Sequence, residues 1–108
     1  MLKKNLMAAG LLLATAQSSI AADWQYCIAP SHDKHMIYIS PPFPTSGSAR
    51  DADTAFDSML DKKGLLHDDV QCPRADDEVS IATMRQYTIK FNQETGTAIV
   101  GLPLENMR

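Results

Sequence analysis

Three histidines are the side chains of this 108-residue chain whose chemistry best suits a metal ion. His32 and His35 stand close together in the segment His32-Asp33-x-His35, and His67 follows much later beside two aspartates. Imidazole nitrogens and carboxylate oxygens are common zinc ligands, but this spacing lacks the fixed intervals of known zinc motifs. His32 falls in a predicted turn and His35 opens a predicted strand, so a solvated hairpin tip is the alternative interpretation. The sequence therefore predicts no metal or other cofactor, and the three histidines are the candidate ligands if one binds.

Four aspartates in and before a predicted helix could supply the carboxylate ligands of a calcium-binding loop: Asp51, Asp53, Asp57 and Asp61. However, Phe56 occupies the place of the tight-turn glycine, and Lys62 occupies the place of the bidentate glutamate. The serines likewise lack the context of a nucleophile elbow. The sequence therefore predicts no catalytic residue, and a solvated helix face explains the aspartates.

Cys27 and Cys72 are the two cysteines of the chain, so they allow one intramolecular pairing. They do not form a C-x-x-C motif, which disfavours a redox role. Disulfides persist in exported proteins, and a small domain gains stability from them because its core is limited. The sequence therefore predicts a structural Cys27–Cys72 disulfide.

The first 22 residues have the three parts of an export signal. Two lysines supply a positive start, residues 6–16 form an uncharged apolar run, and small residues ending at Ala22 offer a cleavage site. The run of about 11 residues is shorter than the roughly 20 needed to span a membrane. We therefore expect a removed signal peptide at residues 1–22 and a single secreted domain at residues 23–108, located in the periplasm or outside the cell.

Charge limits the partners that this domain can bind. Lys3 and Lys4, two of the 10 basic residues, leave with the signal, so 8 basic residues face 13 acidic ones and the net charge becomes −5. Phosphate backbones and anionic lipids bind clusters of Lys and Arg, and this sequence has no such cluster. We therefore expect no nucleic-acid partner, and no membrane association once the signal is removed.

The first part of the domain has the pattern of a hairpin. Aromatic and β-branched residues predict strands at residues 24–28 and 35–40, with turn residues between them. Three prolines then end the second strand, because proline cannot donate a hydrogen bond to a sheet: Pro41, Pro42 and Pro44.

Two helices and a last strand complete the predicted fold. The first helix has Asp51 or Asp53 as its cap, an apolar face at helical spacing, and Gly64 at its end. A short extended piece leads to the second helix, at about residues 76–95, whose wide apolar arc predicts packing from more than one side. A strand at residues 97–102 follows. The fold class is therefore α+β, with a ββαβαβ order and two helices packed on a small sheet.

One side of the predicted hairpin carries aromatic and methionine side chains. Alternation along the strands places Trp24 and Tyr26 opposite Cys27, and Met36 and Tyr38 can share their side. Aromatic residues and methionine are enriched in protein interfaces. Trp24, Tyr26, Met36 and Tyr38 are therefore the predicted partner-binding face. The alternative is that they form the core, because aromatic stripes are commonly buried.

A small, acidic, disulfide-linked domain without a catalytic motif has the character of a binding protein. We expect a non-catalytic domain that binds another protein in the periplasm, such as an inhibitor or immunity-type partner of an exported enzyme. The alternative function is a metal-binding protein or metal-dependent hydrolase that uses His32, His35 or His67.

Overall fold

The structure is a computed structural model that describes residues 23–104. The predicted export signal at residues 1–22 lies outside the described residues, and so do residues 105–108. Among the described residues, no helix combines the length and the apolar character that crossing a membrane requires.

The order of strands and helices along the chain is close to the predicted order. In chain order they are β1 (Asp23–Gln25), β2 (Ile28–Ser31), β3 (Met36–Ile39), β4 (Phe43–Thr45), α1 (Ala49–Lys62), β5 (Arg74–Ala75), α2 (Glu78–Glu94) and β6 (Ala98–Gly101). A 3₁₀ helix at His32–Lys34 connects β2 to β3. The first predicted strand is divided into β1 and β2, and β4 is an additional strand. The predicted α+β class, with two helices and an order close to ββαβαβ, is confirmed.

The strands form two three-stranded sheets. In the first sheet, β1 lies between β4 and β5 and is antiparallel to both. In the second sheet, β3 lies between β2, to which it is antiparallel, and β6, to which it is parallel. The expected small sheet is thus divided in two, because the chain leaves one sheet after Gln25 and enters the other at Ile28.

Tyr26 and Cys27 form the connection between the two sheets. The Cys27 N–H donates to Ser40 Oγ at 2.8 Å, and the Ser40 N–H donates to the Cys27 carbonyl at 2.9 Å. These bonds satisfy polar groups of the interrupted strand, which water cannot reach in the interior. The strand can therefore break here without leaving these groups unpaired.

The predicted Cys27–Cys72 disulfide is present. Cys27 is fully buried, and the segment before Cys72 lies beside β2, where Ile28 and Gln71 exchange backbone hydrogen bonds of 2.8 and 2.9 Å. Gln25 Nε2 also donates to the Cys72 carbonyl at 2.9 Å. The disulfide and these bonds together hold the connection between α1 and β5 against the sheets.

Prolines follow β3 as predicted, but one of them lies inside a strand. β3 ends at Ile39, shortly before Pro41. Pro44 lies in β4, where it is the register partner of Trp24. An edge strand accepts proline because one side of its backbone needs no ladder partner, and β4 is at the edge of its sheet.

α1 begins with a capping box. Ser48 is the N-cap, rather than Asp51 or Asp53: Ser48 Oγ accepts from the Arg50 N–H at 3.1 Å, and Asp51 Oδ2 accepts from the Ser48 N–H at 3.1 Å. The buried side chains of α1 have the predicted helical spacing: Ala52, Phe56, Met59 and Leu60. Gly64 follows with φ 71°, the left-handed conformation expected of a glycine after a helix.

α2 buries one side, and that side is partly polar. Ile81 is its buried apolar residue. Beside it, Arg85 Nε donates to the Ser40 carbonyl at 2.8 Å, and Thr88 Oγ1 hydrogen-bonds with the Tyr26 hydroxyl at 2.7 Å. Burial lowers the pKa of Arg85 from its usual value. The expectation that α2 is packed from more than one side is wrong, because polar contacts fix one side to the sheets and leave most of the apolar arc outside.

The core consists of two clusters, one beneath each helix. In the first, α1 packs on the second sheet and on Cys27 of the connection before it: Cys27, Ala29, Tyr38, Ala52, Phe56, Met59 and Leu60. In the second, Ile81 of α2 packs on Tyr26 and Ile39. Each helix therefore covers its own group of buried side chains.

Candidate functional site

The two tyrosines of the predicted partner-binding face are core residues. Tyr26 and Tyr38 are each 2% exposed, and they belong to different clusters. Tyr26 packs on Ile39 and Ile81 beneath α2, whereas Tyr38 packs in the cluster that α1 covers. The expectation that these tyrosines are exposed is therefore wrong, and the alternative that they form the core describes them.

Trp24 and Met36 are half-buried at the borders of the same two clusters. Trp24 packs against the cluster that contains Tyr26, and Met36 packs against the cluster that contains Tyr38. The pairing of β2 with β3 is the reason. Tyr38 lies opposite Ala29, on the side of Cys27, whereas Tyr26 shares the other side with Ile39. The four positions form no continuous exposed face.

A different apolar surface lies on the outer side of α2. Val79, Tyr87 and Phe91 are 76%, 70% and 65% exposed, and their spacing in multiples of four places them along one side of the helix. Ala82 and Thr83 lie between Val79 and Tyr87, where they help to line an open groove of 580 Å³. We call these five residues the outer α2 face.

The three histidines do not converge on one site. His32 Nδ1 lies 2.6 Å from Asp68 Oδ2, and the His32 backbone N–H donates to the same oxygen at 3.1 Å. That backbone hydrogen bond, together with the one from the ring, lowers the pKa of Asp68. His35 ends the 3₁₀ helix with a left-handed backbone, φ 53°. Within residues 23–104, neither His32 nor His35 belongs to a group of three potential metal ligands.

His67 instead meets two aspartates of α1. Its Nδ1–H donates to the Leu65 carbonyl at 2.8 Å, while its Nε2 lies 2.7 Å from Asp57 Oδ1 and 4.0 Å from Asp61 Oδ1. The His67 ring is 6% exposed, whereas both carboxylates are more than half exposed. Asp57, Asp61 and His67 each offer one ligand atom within 4.8 Å of the others. We call these three residues the His67 cluster.

Electrostatics favour the protonated form of His67. Burial of the ring opposes a positive charge, but the hydrogen bonds with the Leu65 carbonyl and the Asp57 carboxylate raise the pKa of His67 above 6.5, and the negative charges of Asp57 and Asp61 add to this. A neutral ring with its proton on Nδ1 would leave Nε2 facing Asp57 Oδ1 with no proton between them. The space between Nε2 and the two carboxylates therefore suits a positive charge, which a proton on Nε2 can supply.

An acidic groove surrounds the His67 cluster. It is open, it has a volume of 610 Å³, and five carboxylates line it together with His67: Asp53, Asp57, Asp61, Asp68 and Asp69. A cleft lined by one sign of charge concentrates ions of the opposite sign. The groove can therefore attract a cation or a basic side chain.

The sequence indicates only part of the His67 cluster in advance. Asp57 and Asp61 are four residues apart, a spacing that places two side chains on the same side of a helix. His67 reaches them because the chain reverses at Gly64 and the Leu65 carbonyl then orients the ring. This reversal brings together residues that no motif spacing joins, so sequence reasoning missed the cluster and tested the aspartates only as a calcium loop.

Comparisons of the chain with protein-family models, with curated proteins and with solved structures found no match. The outer α2 face and the His67 cluster are therefore the features from which function is inferred. One is apolar and the other is acidic, so the two suit different ligands.

The folded protein is expected to lose stability as the pH rises through the folded-state pKa of His67. A group whose pKa is raised on folding stabilises the folded state fully below its unfolded pKa of 6.5, and this contribution is lost above the folded pKa. Asp57→Asn should lower the pKa of His67 and reduce this pH dependence, while the hydrogen bond to the Leu65 carbonyl remains. Urea unfolding between about pH 6 and pH 8 and NMR titration of the ring measure both effects. A native His67 pKa at or below 6.5 would contradict the prediction.

Proposed function

We propose that the chain is a small exported, non-catalytic domain that binds another protein through the outer α2 face. The observation that carries this proposal is the exposure of Val79, Tyr87 and Phe91 along one side of one helix. Isolated exposed apolar residues are normal, but a continuous exposed stripe marks an interaction site. Tyrosine and phenylalanine are also enriched in protein interfaces.

The position of these side chains in the fold supports a role outside the core. α2 is attached to the sheets through Ile81 and Arg85 on its opposite side. The exposed rings therefore have little part in packing, and their apolar surface remains in water. Burying such surface against a partner contributes about 25 cal/mol per Å² before the costs of association.

The shape of the face suits an amphipathic helix. Ala82 and Thr83 have small side chains, so a groove runs between the larger Val79 and Tyr87. A helix of another protein can lay its apolar stripe into a groove of this kind. The partner in this proposal is therefore a protein that presents an apolar helical stripe.

Charge specifies the partner further. Glu78 lines one end of the groove, beside the exposed Asp76 and Asp77. Lys90 lines the groove nearer its other end. Complementary charges orient a partner and exclude wrong ones. The partner helix is therefore expected to carry a basic side chain opposite Glu78 and an acidic one opposite Lys90.

Two features of the chain support an exported setting for this binding. The Cys27–Cys72 disulfide is compatible with an oxidising compartment outside the cytosol. The signal-like residues 1–22 favour the periplasm or secretion. With a net charge of −5 for residues 23–108, the domain suits a basic target, such as an exported enzyme that it would inhibit.

Site-specific photo-crosslinking in the producing cell tests this proposal. A photoreactive phenylalanine analogue placed at Tyr87 should crosslink one other protein, whereas the same analogue at the exposed Lys62 of α1 should not. Crosslinks to a second copy of this chain alone, or equal crosslinking from both positions, would refute binding of another protein through the outer α2 face.

Affinity measurements with the crosslinked protein, once purified, decide whether the outer α2 face provides the binding energy. Tyr87→Ala and Phe91→Ala should each weaken binding about 30-fold or more, the range for central aromatic contacts. Lys62→Ala should bind like the native chain, and circular dichroism should show that all three variants are folded. Native affinity in both aromatic variants would contradict the proposal.

A further inference from the structure

We propose that Asp57, Asp61 and His67 form a binding site for a zinc ion on the side of the molecule where α1 meets the segment after it. The site uses α1, whereas the outer α2 face uses α2, so zinc binding goes beyond the proposed protein binding. Three ligand atoms from these residues already lie within 4.8 Å of one another. The ligand set, one imidazole and two carboxylates, is a set that zinc accepts.

The orientation of the His67 ring is the first argument. The Leu65 carbonyl can only accept a hydrogen bond, so Nδ1, 2.8 Å away, carries a proton. Nε2 is then the nitrogen whose lone pair is available in the neutral ring, and it points at Asp57 and Asp61. Histidines that bind metals characteristically donate their other ring N–H to a carbonyl or carboxylate in this way.

Rigidity of the ring is the second argument. The His67 side chain is 6% exposed, so packing and the bond to Leu65 fix the direction of Nε2. Asp57 and Asp61 are more than half exposed and can adjust their carboxylates around an ion. One fixed ligand and two adjustable ligands can reach the required geometry with small side-chain rotations.

The distances fit a zinc ion after such rotations. Two ligand atoms about 2.1 Å from a tetrahedral zinc ion lie about 3.4 Å apart. Nε2 is now 2.7 Å from Asp57 Oδ1 and 4.0 Å from Asp61 Oδ1, one value below and one above that separation. Small opposite movements of the two carboxylates therefore bring both Nε2–oxygen separations to the value that zinc requires.

The imidazole selects among divalent cations. Magnesium and calcium prefer sites built from oxygen atoms alone, whereas imidazole nitrogen suits zinc. The other carboxylates of the groove, Asp53, Asp68 and Asp69, add negative charge that attracts the cation without serving as ligands in this proposal. Three protein ligands leave a fourth position for water.

Calorimetric titration of the purified, chelator-treated protein with zinc chloride tests the site. One zinc ion should bind per chain, and cobalt substituted for zinc should give the visible spectrum of a tetrahedral ion. His67→Ala should weaken zinc binding about 100-fold or more, and Asp61→Asn should weaken it about 10-fold or more. Because Asp61 is largely exposed, its variant is expected to stay folded, which circular dichroism checks.

His32→Ala is the matched control, because His32 is also a histidine paired with an aspartate but lies outside the cluster. It should bind zinc as the native protein does. The assignment would be overturned if His67→Ala still bound zinc, or if His32→Ala lost zinc binding. It would also be overturned if magnesium or calcium bound as tightly as zinc, or if the native protein bound no zinc. Partner binding through the outer α2 face is measured separately, so either proposal can fail alone.

Discussion

Tyr38→Ala is expected to lower the free energy of unfolding by about 3–5 kcal/mol, the usual range for truncating a buried aromatic side chain. Tyr38 is 2% exposed in β3, between its register partners Ala29 of β2 and Val100 of β6. Its ring lies in the cluster that Phe56 and Leu60 of α1 cover. Strands on both sides keep the backbone in place, so the cavity left by the ring cannot close fully. Urea unfolding followed by circular dichroism measures the loss.

Tyr87→Ala is the matched control, since it removes the same atoms from an exposed position. Tyr87 is 70% exposed on α2, and alanine is the better helix former. The free energy of unfolding should change by no more than about 0.5 kcal/mol. Equal effects of the two substitutions would mean either that Tyr38 is not a core residue or that α2 packs through its outer face.

Local patterns in the sequence were sufficient to predict the apolar face and the end of α1 and the start of α2, but not the start of α1, where Ser48 is the cap instead of Asp51 or Asp53. Phe56, Met59 and Leu60 repeat at helical spacing, and the structure buries all three. Gly64 follows α1 with the positive φ that favours glycine, and Asp77 caps α2 within one residue of the predicted start. These features depend on a few neighbouring residues, so the sequence predicts them without knowledge of the rest of the chain.

The choice of buried face on α2 could not be predicted in the same way. The predicted apolar arc included Ile81 and Thr88, which do face the sheets, but also Tyr87 and Phe91, which are exposed. Arg85, which is not apolar, also faces the sheets. That side is held by the Ser40 carbonyl and the Tyr26 hydroxyl. Hydrogen-bond partners that come from other elements leave no periodic signal in the helix sequence.

The break after Gln25 had a similar cause. Aromatic and β-branched residues continue through Tyr26 and Ile28, so their types favour one strand. The strand ends because Cys27 pairs with Ser40 instead of extending the first sheet. Alternation nevertheless continues across the break, because Trp24 and Tyr26 still share one side. The predicted binding face is wrong because Tyr38 lies on the other side, opposite Ala29, and a helix covers each side.

Replacing both Cys27 and Cys72 by alanine is expected to lower the free energy of unfolding by about 2–5 kcal/mol, the usual cost of losing a native disulfide in a small domain. The two cysteines are 45 residues apart, and closing a loop of that length stabilises the folded state by about 4 kcal/mol in the chain-entropy model. The connection before Cys72 would then be held to β2 by the bonds between Ile28 and Gln71, without a covalent link. Urea unfolding of the variant and of the native chain gives the difference.

The native chain under reducing conditions is the control for this double variant. The reduced native chain and the double variant both lack the disulfide, so their free energies of unfolding should agree to within about 1 kcal/mol. The remaining difference is the packing of the two sulfur atoms, which alanine lacks. Zinc and partner binding should persist wherever the double variant is folded, because neither the His67 cluster nor the outer α2 face contains a cysteine. A variant that is fully stable but no longer binds would show that Cys27 and Cys72 serve function directly, rather than holding the fold that positions the two sites.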